Sequence, residues 1–384
     1  MVAAGTAFQQ NYNQAVSLLA ADGDIEGGLA LAATVADVGL ANVITYRPLM
    51  KYCGSKGDAP HAMQTMAAMR GAGVVPDMFV YAELMSSLVR AGQVADAEGV
   101  LREIVADGRR PHVVLFNTLL SGYSREANVP RAMALISQLR EAGLEPDETT
   151  FNIALDCCAR AKNFKALEKT VEMMRLANVR PGAPTYNTLL KTLSRSQRFD
   201  EAVAMFTEMK VTVTPTKVTY NTMIDACAHR GDMDGASAYF DEMMAVGLQP
   251  DVITFTSLIK GFGRSGNAPR AVELFDAIRE GGYALEERTY YAVINACLGA
   301  GDRGNARALL YEMLDAGFAV RTRTWTWLLE CDIWADDEAA AVRLLRDMGA
   351  AEVPVDGSRR ARLLRECRKR GGFTRFIGQL QNYR

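Results

Sequence analysis

The sequence predicts an all-α stack of about ten helix–turn–helix repeats, and three observations predict it. Aromatic residues recur at gaps of 34 or 35 residues, at Tyr12, Tyr46, Tyr81, Phe116, Phe151, Tyr186, Tyr220, Phe255, Tyr290 and Trp325. Glycine recurs at two fixed places per interval, for example Gly57, Gly92, Gly231, Gly266 and Gly301, then Gly73, Gly108, Gly143, Gly247 and Gly282. Alanine and methionine recur between them, as Ala97, Ala132, Ala202 and Ala236, then Met174, Met209, Met243 and Met313. A period sustained over most of 384 residues marks stacked units, each too small to bury its own core.

Residues 217–251 show the unit. Tyr220, Met223, Ile224, Ala226 and Cys227 have helical spacing. Gly231 then stops the helix, since glycine adopts the left-handed cap at little cost, and Asp232 or Asp234 caps a second helix. That helix carries Ala236, Tyr239, Phe240, Met243 and Met244, ends at Gly247 and is prevented from continuing by Pro250. The same pattern divides the chain into 9–42, 43–77, 78–112, 113–147, 148–182, 183–216, 217–251, 252–286, 287–321 and 322–356. Residues 1–8 precede these units. The unit 183–216 closes on Val211-Thr212-Val213-Thr214 without glycine, so its last helix is expected to end irregularly. Residues 357–384 are expected to be one further helix, or an incomplete unit, that caps the stack with a basic outer face.

Composition narrows the function. The tail 357–384 holds nine Lys or Arg against Glu366 alone, which leaves 34 basic and 44 acidic residues in the rest. An acidic body with a basic tail does not suit a nonspecific nucleic-acid coat. No apolar run approaches the ~20 residues needed to span a bilayer. No secretory or transit segment is visible, so an import signal, if the protein has one, lies outside this chain. The seven cysteines fall mostly at one place in their units and form no CxxC pair, and His61, His112 and His229 lie in three different units. Zinc and a disulfide framework are therefore not expected, nor is any cofactor, and a reducing compartment fits best.

Several units open on a Thr-Tyr-Asn-like triplet, as Thr185-Tyr186-Asn187, Thr219-Tyr220-Asn221 and Thr150-Phe151-Asn152, and close on Pro-Asp, as Pro76-Asp77, Pro146-Asp147 and Pro250-Asp251. The Trp-x-x-Leu-Gly-x-x-Tyr pattern of tetratricopeptide repeats is absent. Over residues 9–356 the sequence resembles the pentatricopeptide repeat family, P class, known from plant and green-algal organelles. That resemblance implies a right-handed α-solenoid that binds single-stranded RNA, about one base per repeat, with its N-terminus toward the RNA 5′ end. It implies an organellar protein, chloroplast rather than mitochondrion, acting in RNA processing, stability or translation by occupying its RNA.

The family reads bases with the fifth and last residues of each unit. By that resemblance Asn117 with Asp147, and Asn221 with Asp251, select uracil. Asn13 with Asn42 favours cytosine, while Asn152 with Gly182 and Asn187 with Thr216 specify a pyrimidine only. Thr326 with Asp356 resembles a guanine reader, and Thr256 with Glu286 leans to a purine. Arg47/Asp77, Ala82/His112 and Tyr291/Arg321 fit no strong combination. The implied footprint is 5′-(C/U)-N-N-U-(C/U)-(C/U)-U-(purine)-N-G-3′. Independently, an asparagine amide offers a donor and an acceptor side by side, which matches a pyrimidine edge. Ile44, Phe79, Val114, Val218 and Ile253, second in their units, are candidates for sandwiching bases. Arg90, Arg125, Arg160 and Arg264 share one place, with Lys56 and Arg230 one residue later, forming a row suited to phosphates. Cations also favour helix C-termini, and that alternative stays open.

Two other functions compete with RNA binding. The three unmatched pairs and the acidic body favour a scaffold, for example in an organellar ribosome, that binds protein or ribosomal RNA. Catalysis is not expected, because the residues after the repeats are too few for the nuclease, deaminase or MutS-related domains that some family members carry.

Overall fold

In a computed structural model the backbone is described for residues 2–196 and 198–383, with side chains from residue 9 onward. The described residues form 22 helices and no strand. The chain divides into two compact units, residues 1–189 and 190–384, with the division inside the helix Ala183–Arg195.

In the first unit the helices pair as Val2–Asp22 with Ile25–Asp37, Val43–Lys56 with Ala59–Gly71, and Met78–Arg90 with Val94–Ala106. Val113–Arg125 with Val129–Glu141 and Glu148–Arg160 with Phe164–Leu176 follow. In the second unit, after Phe199–Thr212, come Lys217–Arg230 with Met233–Ala245 and Val252–Arg264 with Ala268–Glu280. Glu287–Gly299 with Arg303–Asp315 and Thr322–Trp334 with Glu338–Ala350 complete the repeats. In both units each first helix packs on its own partner and on the first helix of the next pair. Within each unit the first helices thus form a row, and equivalent residues of its successive repeats stand side by side along it.

The periodic residues are the core of these pairs. Ala62, Ala97, Ala132, Ala202, Ala236, Ala271, Ala306 and Ala341 are all completely buried, so any larger side chain there would push two helices apart. The fourth-place aromatics are tied as well as packed. Tyr81, Tyr220 and Tyr290 donate to Glu103, Glu242 and Glu312 at 3.4, 3.2 and 3.2 Å, each reaching the second helix of its own repeat. Burial and the neighbouring Glu242 push the Tyr220 hydroxyl up to about 12, so it remains a donor.

The inter-helix turn requires a left-handed residue, as at Gly57 (φ 76°) and Gly231 (φ 79°). Where the sequence lacks glycine the backbone does not change: Ala127, Lys162 and Asp336 have φ of 53°, 52° and 55°. Packing of the repeat outweighs a local cost of about 1–2 kcal/mol. The helix Phe199–Thr212 ends irregularly as expected, running into extended backbone at Val213 (φ −142°).

The tail is an incomplete pair rather than a single helix. Gly357–Arg370 and Thr374–Asn382 are separated by Gly371 and Gly372, both at positive φ. Leu363, Cys367, Phe373, Phe376 and Leu380 are buried in the core that includes Trp325 and Leu345. Part of the basic face is used internally: Arg362 meets Glu330 at 3.1 Å, and Arg370 donates to the Trp334 carbonyl at 2.8 Å.

All seven cysteines are free and buried. Burial pushes Cys53, Cys157 and Cys227 up to about 12, and Cys297, Cys331 and Cys367 up to about 11. Since the thiolate is the reactive species, the native protein should resist iodoacetamide at pH 8 and take up seven labels only on unfolding. Mass spectrometry reads the result; rapid labelling of the folded chain would show that these thiols are accessible. Among the described residues no group of three or more His, Cys, Asp or Glu is placed to hold a metal, and no helix is long and apolar enough to cross a membrane.

Candidate nucleic-acid interface

In the fold, the last residue of a repeat is the N-cap of the next repeat's first helix. Asn42, Asp77, Asp147, Thr216, Asp251 and Asp356 each accept the backbone N–H three residues on, satisfying a donor the helix leaves unpaired. For Asn42, Asp147, Thr216 and Asp251 the third residue is threonine, whose hydroxyl accepts the cap's own N–H and closes a capping box.

The fifth residue of the preceding repeat joins this box. Asn117 Nδ2 donates to Asp147 Oδ1 at 3.3 Å, and the Thr150 hydroxyl lies 2.7 Å from Asn117 Oδ1. Asn221 repeats the arrangement, at 3.2 Å to Asp251 and 2.6 Å from Thr254. A carboxylate only accepts, so the amide nitrogen faces the aspartate and the oxygen faces the threonine. Each amide is held against flipping and keeps one N–H and one oxygen lone pair for a ligand. Burial favours the neutral form of Asp147 and Asp251, yet hydrogen bonds from Thr150 with Asn117, and from Thr254 with Asn221, hold both carboxyls below the usual value. The charged acceptor therefore persists at neutral pH.

These threonines are members of the candidate site that the sequence did not single out. Thr45, Thr150, Thr185, Thr219, Thr254 and Thr289 are fully buried at the third place of their units. A buried hydroxyl recurring at a fixed place implies a recurring partner, and that was the available signal.

The other pairs vary. The Thr45 hydroxyl is 2.7 Å from Asn13 Oδ1, joining Asn13 to the Asn42 cap. The Thr185 hydroxyl is 2.6 Å from Asn152 Oδ1. Asn187 Oδ1 is buried without a hydrogen-bond partner among the described residues, and Thr216, which caps Lys217–Arg230, belongs to the other compact unit. Thr256 and Thr326 are buried and return their hydroxyls to the Val252 and Thr322 carbonyls of their own helices. No hydrogen bond between described residues joins them to Glu286 or Asp356. Glu286 pairs with Arg288, and Asp356 with Ser358 and Arg359. Two pairs are closed on themselves. Arg47 Nε donates to Asp77 at 3.1 Å while its guanidinium lies over Phe79. Tyr291 accepts the Arg321 N–H at 2.8 Å and donates to the Ala319 carbonyl, beneath the Arg321 guanidinium.

Ile44, Phe79, Val114, Val218 and Ile253 are all solvent-exposed, from 38% for Phe79 to 64% for Val114. Large apolar side chains left in water at one place in three repeats of the first unit and two of the second give each unit a surface suited to flat ligands. The cationic row is exposed but anchored. Arg90 and Arg125 donate to the Ser55 and Val89 carbonyls at 3.0 and 3.4 Å, at the C-terminal end of the first helix one repeat earlier. Arg160 pairs with Asp156, Arg230 lies over Phe199, and Arg264 meets His229 at 3.4 Å. Lys56 is exposed at the end of its helix. The helix-end role is thus real for Arg90 and Arg125, and it leaves their outer guanidinium edges to solvent. A cavity of about 330 Å³ sets Asn152 beside Ser121, Thr149, Arg125, Asp156 and Arg160. A second, of about 500 Å³, gathers Lys260, Arg264, Arg288 and Arg321 around Tyr291 and Trp327.

Comparison with known proteins agrees with the fold. The pentatricopeptide repeat protein PPR10 from maize is 18% identical over 89% of this chain and 58% of its own, with a TM-score of 0.53. PPR10 in complex with an 18-nt psaJ RNA element superposes at a TM-score of 0.66, with 20% identity over 98% of this chain and 62% of that one. The chain thus spans about three fifths of PPR10, and the likeness is one of fold. A comparison with curated protein sequences finds no match. Sequence profiles match most of the chain: the PPR repeat family at 111–160 and 215–264, the pentatricopeptide repeat domain at 37–90, 143–196 and 184–230, and the PPR repeat at 79–109, 253–283 and 288–318. With the repeat length, the paired helices and these profiles in agreement, the chain belongs to the pentatricopeptide repeat family.

Proposed function

We propose that the chain binds single-stranded RNA sequence-specifically, one base per repeat, and acts by occupying its transcript rather than by chemistry. The observation that carries this reading is the locked amide, built twice from an asparagine, a threonine and an aspartate, beside exposed apolar side chains. Each amide offers the donor and acceptor that a pyrimidine edge needs, and Val114 and Val218 flank the same first helices as platforms for stacking. The RNA complex of PPR10 supports the assignment. By the resemblance, units 113–147 and 217–251 take uracil, within an organellar RNA.

Fluorescence anisotropy with a decamer matching the footprint tests it. Changing the fourth or seventh uracil to any other base should weaken binding about tenfold, the scale of one good base contact. A duplex of the same sequence should compete poorly. Equal binding of all substituted decamers would overturn the reading. A scaffold function is favoured by one observation, the closure of Arg47 on Asp77 and of Tyr291 on Arg321, which withdraws two reading places. That function predicts a chain that does not discriminate among the decamers and recovers protein partners or ribosomal RNA instead.

A further inference from the structure

We propose that Glu148 supplies the carboxylate that unit 148–182 lacks at its last residue, so that Asn152 selects the same base as Asn117 and Asn221. The inference rests on the RNA-binding reading above and deepens it at one repeat. Gly182 occupies the capping place that Asp147 and Asp251 fill elsewhere, and it has no side chain to give. Its backbone does not demand glycine, since its φ lies outside the left-handed region. A Cβ there would come within 2.5 Å of Glu148 Oε1, so a side chain at this place would require the Glu148 carboxylate to swing away. That oxygen accepts the Gly182 N–H at 3.1 Å and lies 3.3 Å from the Thr185 hydroxyl, which is itself 2.6 Å from Asn152 Oδ1.

In the repeat before, the Thr150 hydroxyl lies 2.7 Å from both Asp147 Oδ1 and Asn117 Oδ1, two acceptors that share its single proton. The two networks share an asparagine, a bridging threonine and a carboxylate acceptor. They differ in the residue that brings the carboxylate and in the amide's own contact: Asn117 Nδ2 donates to Asp147, whereas no hydrogen bond between described residues joins Asn152 Nδ2 to Glu148, which reaches the amide through Thr185 alone. Glu148 opens the helix on which Asn152 lies four residues later, so both project from one face. The Asn152 amide borders the 330 Å³ cavity that also holds Arg125 and Arg160, so a base and its phosphate have room beside it. Glu148 is a positioning residue: it acts on the base through Thr185 and Asn152. The unit is therefore a uracil reader, not an unspecified pyrimidine reader.

Competition binding with decamers that vary only at the fourth, fifth or seventh base tests this, with thermal melting as a control. The native chain should prefer the same base at all three places. Glu148→Ala should lower the preference at the fifth base about tenfold and leave the fourth and seventh unchanged. Adding Gly182→Asp to Glu148→Ala should restore it, a rescue that general destabilisation does not produce. A native chain that discriminates at the fourth and seventh bases but not the fifth, or a Glu148→Ala chain that keeps its preference, would overturn the proposal and leave RNA binding standing. Loss of discrimination at all three places in the native chain would overturn both.

Discussion

The double substitution Arg303→Ala with Arg307→Ala should destabilise the repeats around Thr322–Trp334 by about 3–5 kcal/mol at pH 7, the usual cost of stripping a buried charge of its partners. Asp332 is completely buried, with Arg307 at 2.7 Å and Arg303 at 3.4 Å. Both arginines are about one-third exposed, so removing them leaves the charge inside rather than outside. Burial already pushes the Asp332 carboxyl up, against the pull of Arg307 and Arg303. A carboxyl raised above its unfolded value stabilises the fold below that value and loses the contribution as pH rises. Without the arginines the shift grows, so the deficit should be largest at pH 7 to 8. It should shrink toward pH 5, by up to about 1.4 kcal/mol per pH unit, as Asp332 takes up a proton. Urea unfolding at pH 5 and 7 measures this. A deficit below about 1 kcal/mol, or one indifferent to pH, would show that Asp332 is solvated.

The second large effect concerns recognition. Thr254→Val keeps the shape of a fully buried side chain and removes the hydroxyl that holds Asn221 Oδ1. Discrimination at the seventh base should fall, by up to about tenfold, since the amide is then oriented by Asp251 alone. Stability should fall by about 1 kcal/mol, because the Asp251 N–H loses its 3.1 Å acceptor. Asn221→Thr should instead weaken uracil and favour guanine, as the family resemblance implies. The preference should hold from pH 8 to pH 5. Asp251 is held below its usual value, so its stabilising contribution is present above that value and is lost only as pH falls through the lower folded one. Competition among four decamers differing at the seventh base, at pH 5 and 8, decides the matter. Unchanged uracil preference in Thr254→Val would mean that the threonine only caps the helix.

What the sequence determined by itself is the repeat. Aromatics, alanines and glycines at fixed intervals are set by local helix geometry and by packing between neighbours that are close in the chain. Both recur every 34 or 35 residues and so accumulate into a readable signal. The exposed second-place residues were legible for the same reason, since a large apolar residue at a fixed place and outside the core pattern must face outward. The tertiary structure alone decided what the candidate reading residues touch. Asn117, Asp147 and Thr150 are brought together from two repeats by the packing of successive first helices. No single unit contains that network, so no pattern within a unit could show that the threonine holds the amide. It likewise decided that Glu148 occupies the space Gly182 leaves, that Thr256 and Thr326 turn back to their own helices, and that Arg90 and Arg125 close the helix ends of the preceding repeats. Apart from the two threonines, these are matters of direction and distance among groups about 30 to 37 residues apart, which composition and period do not encode.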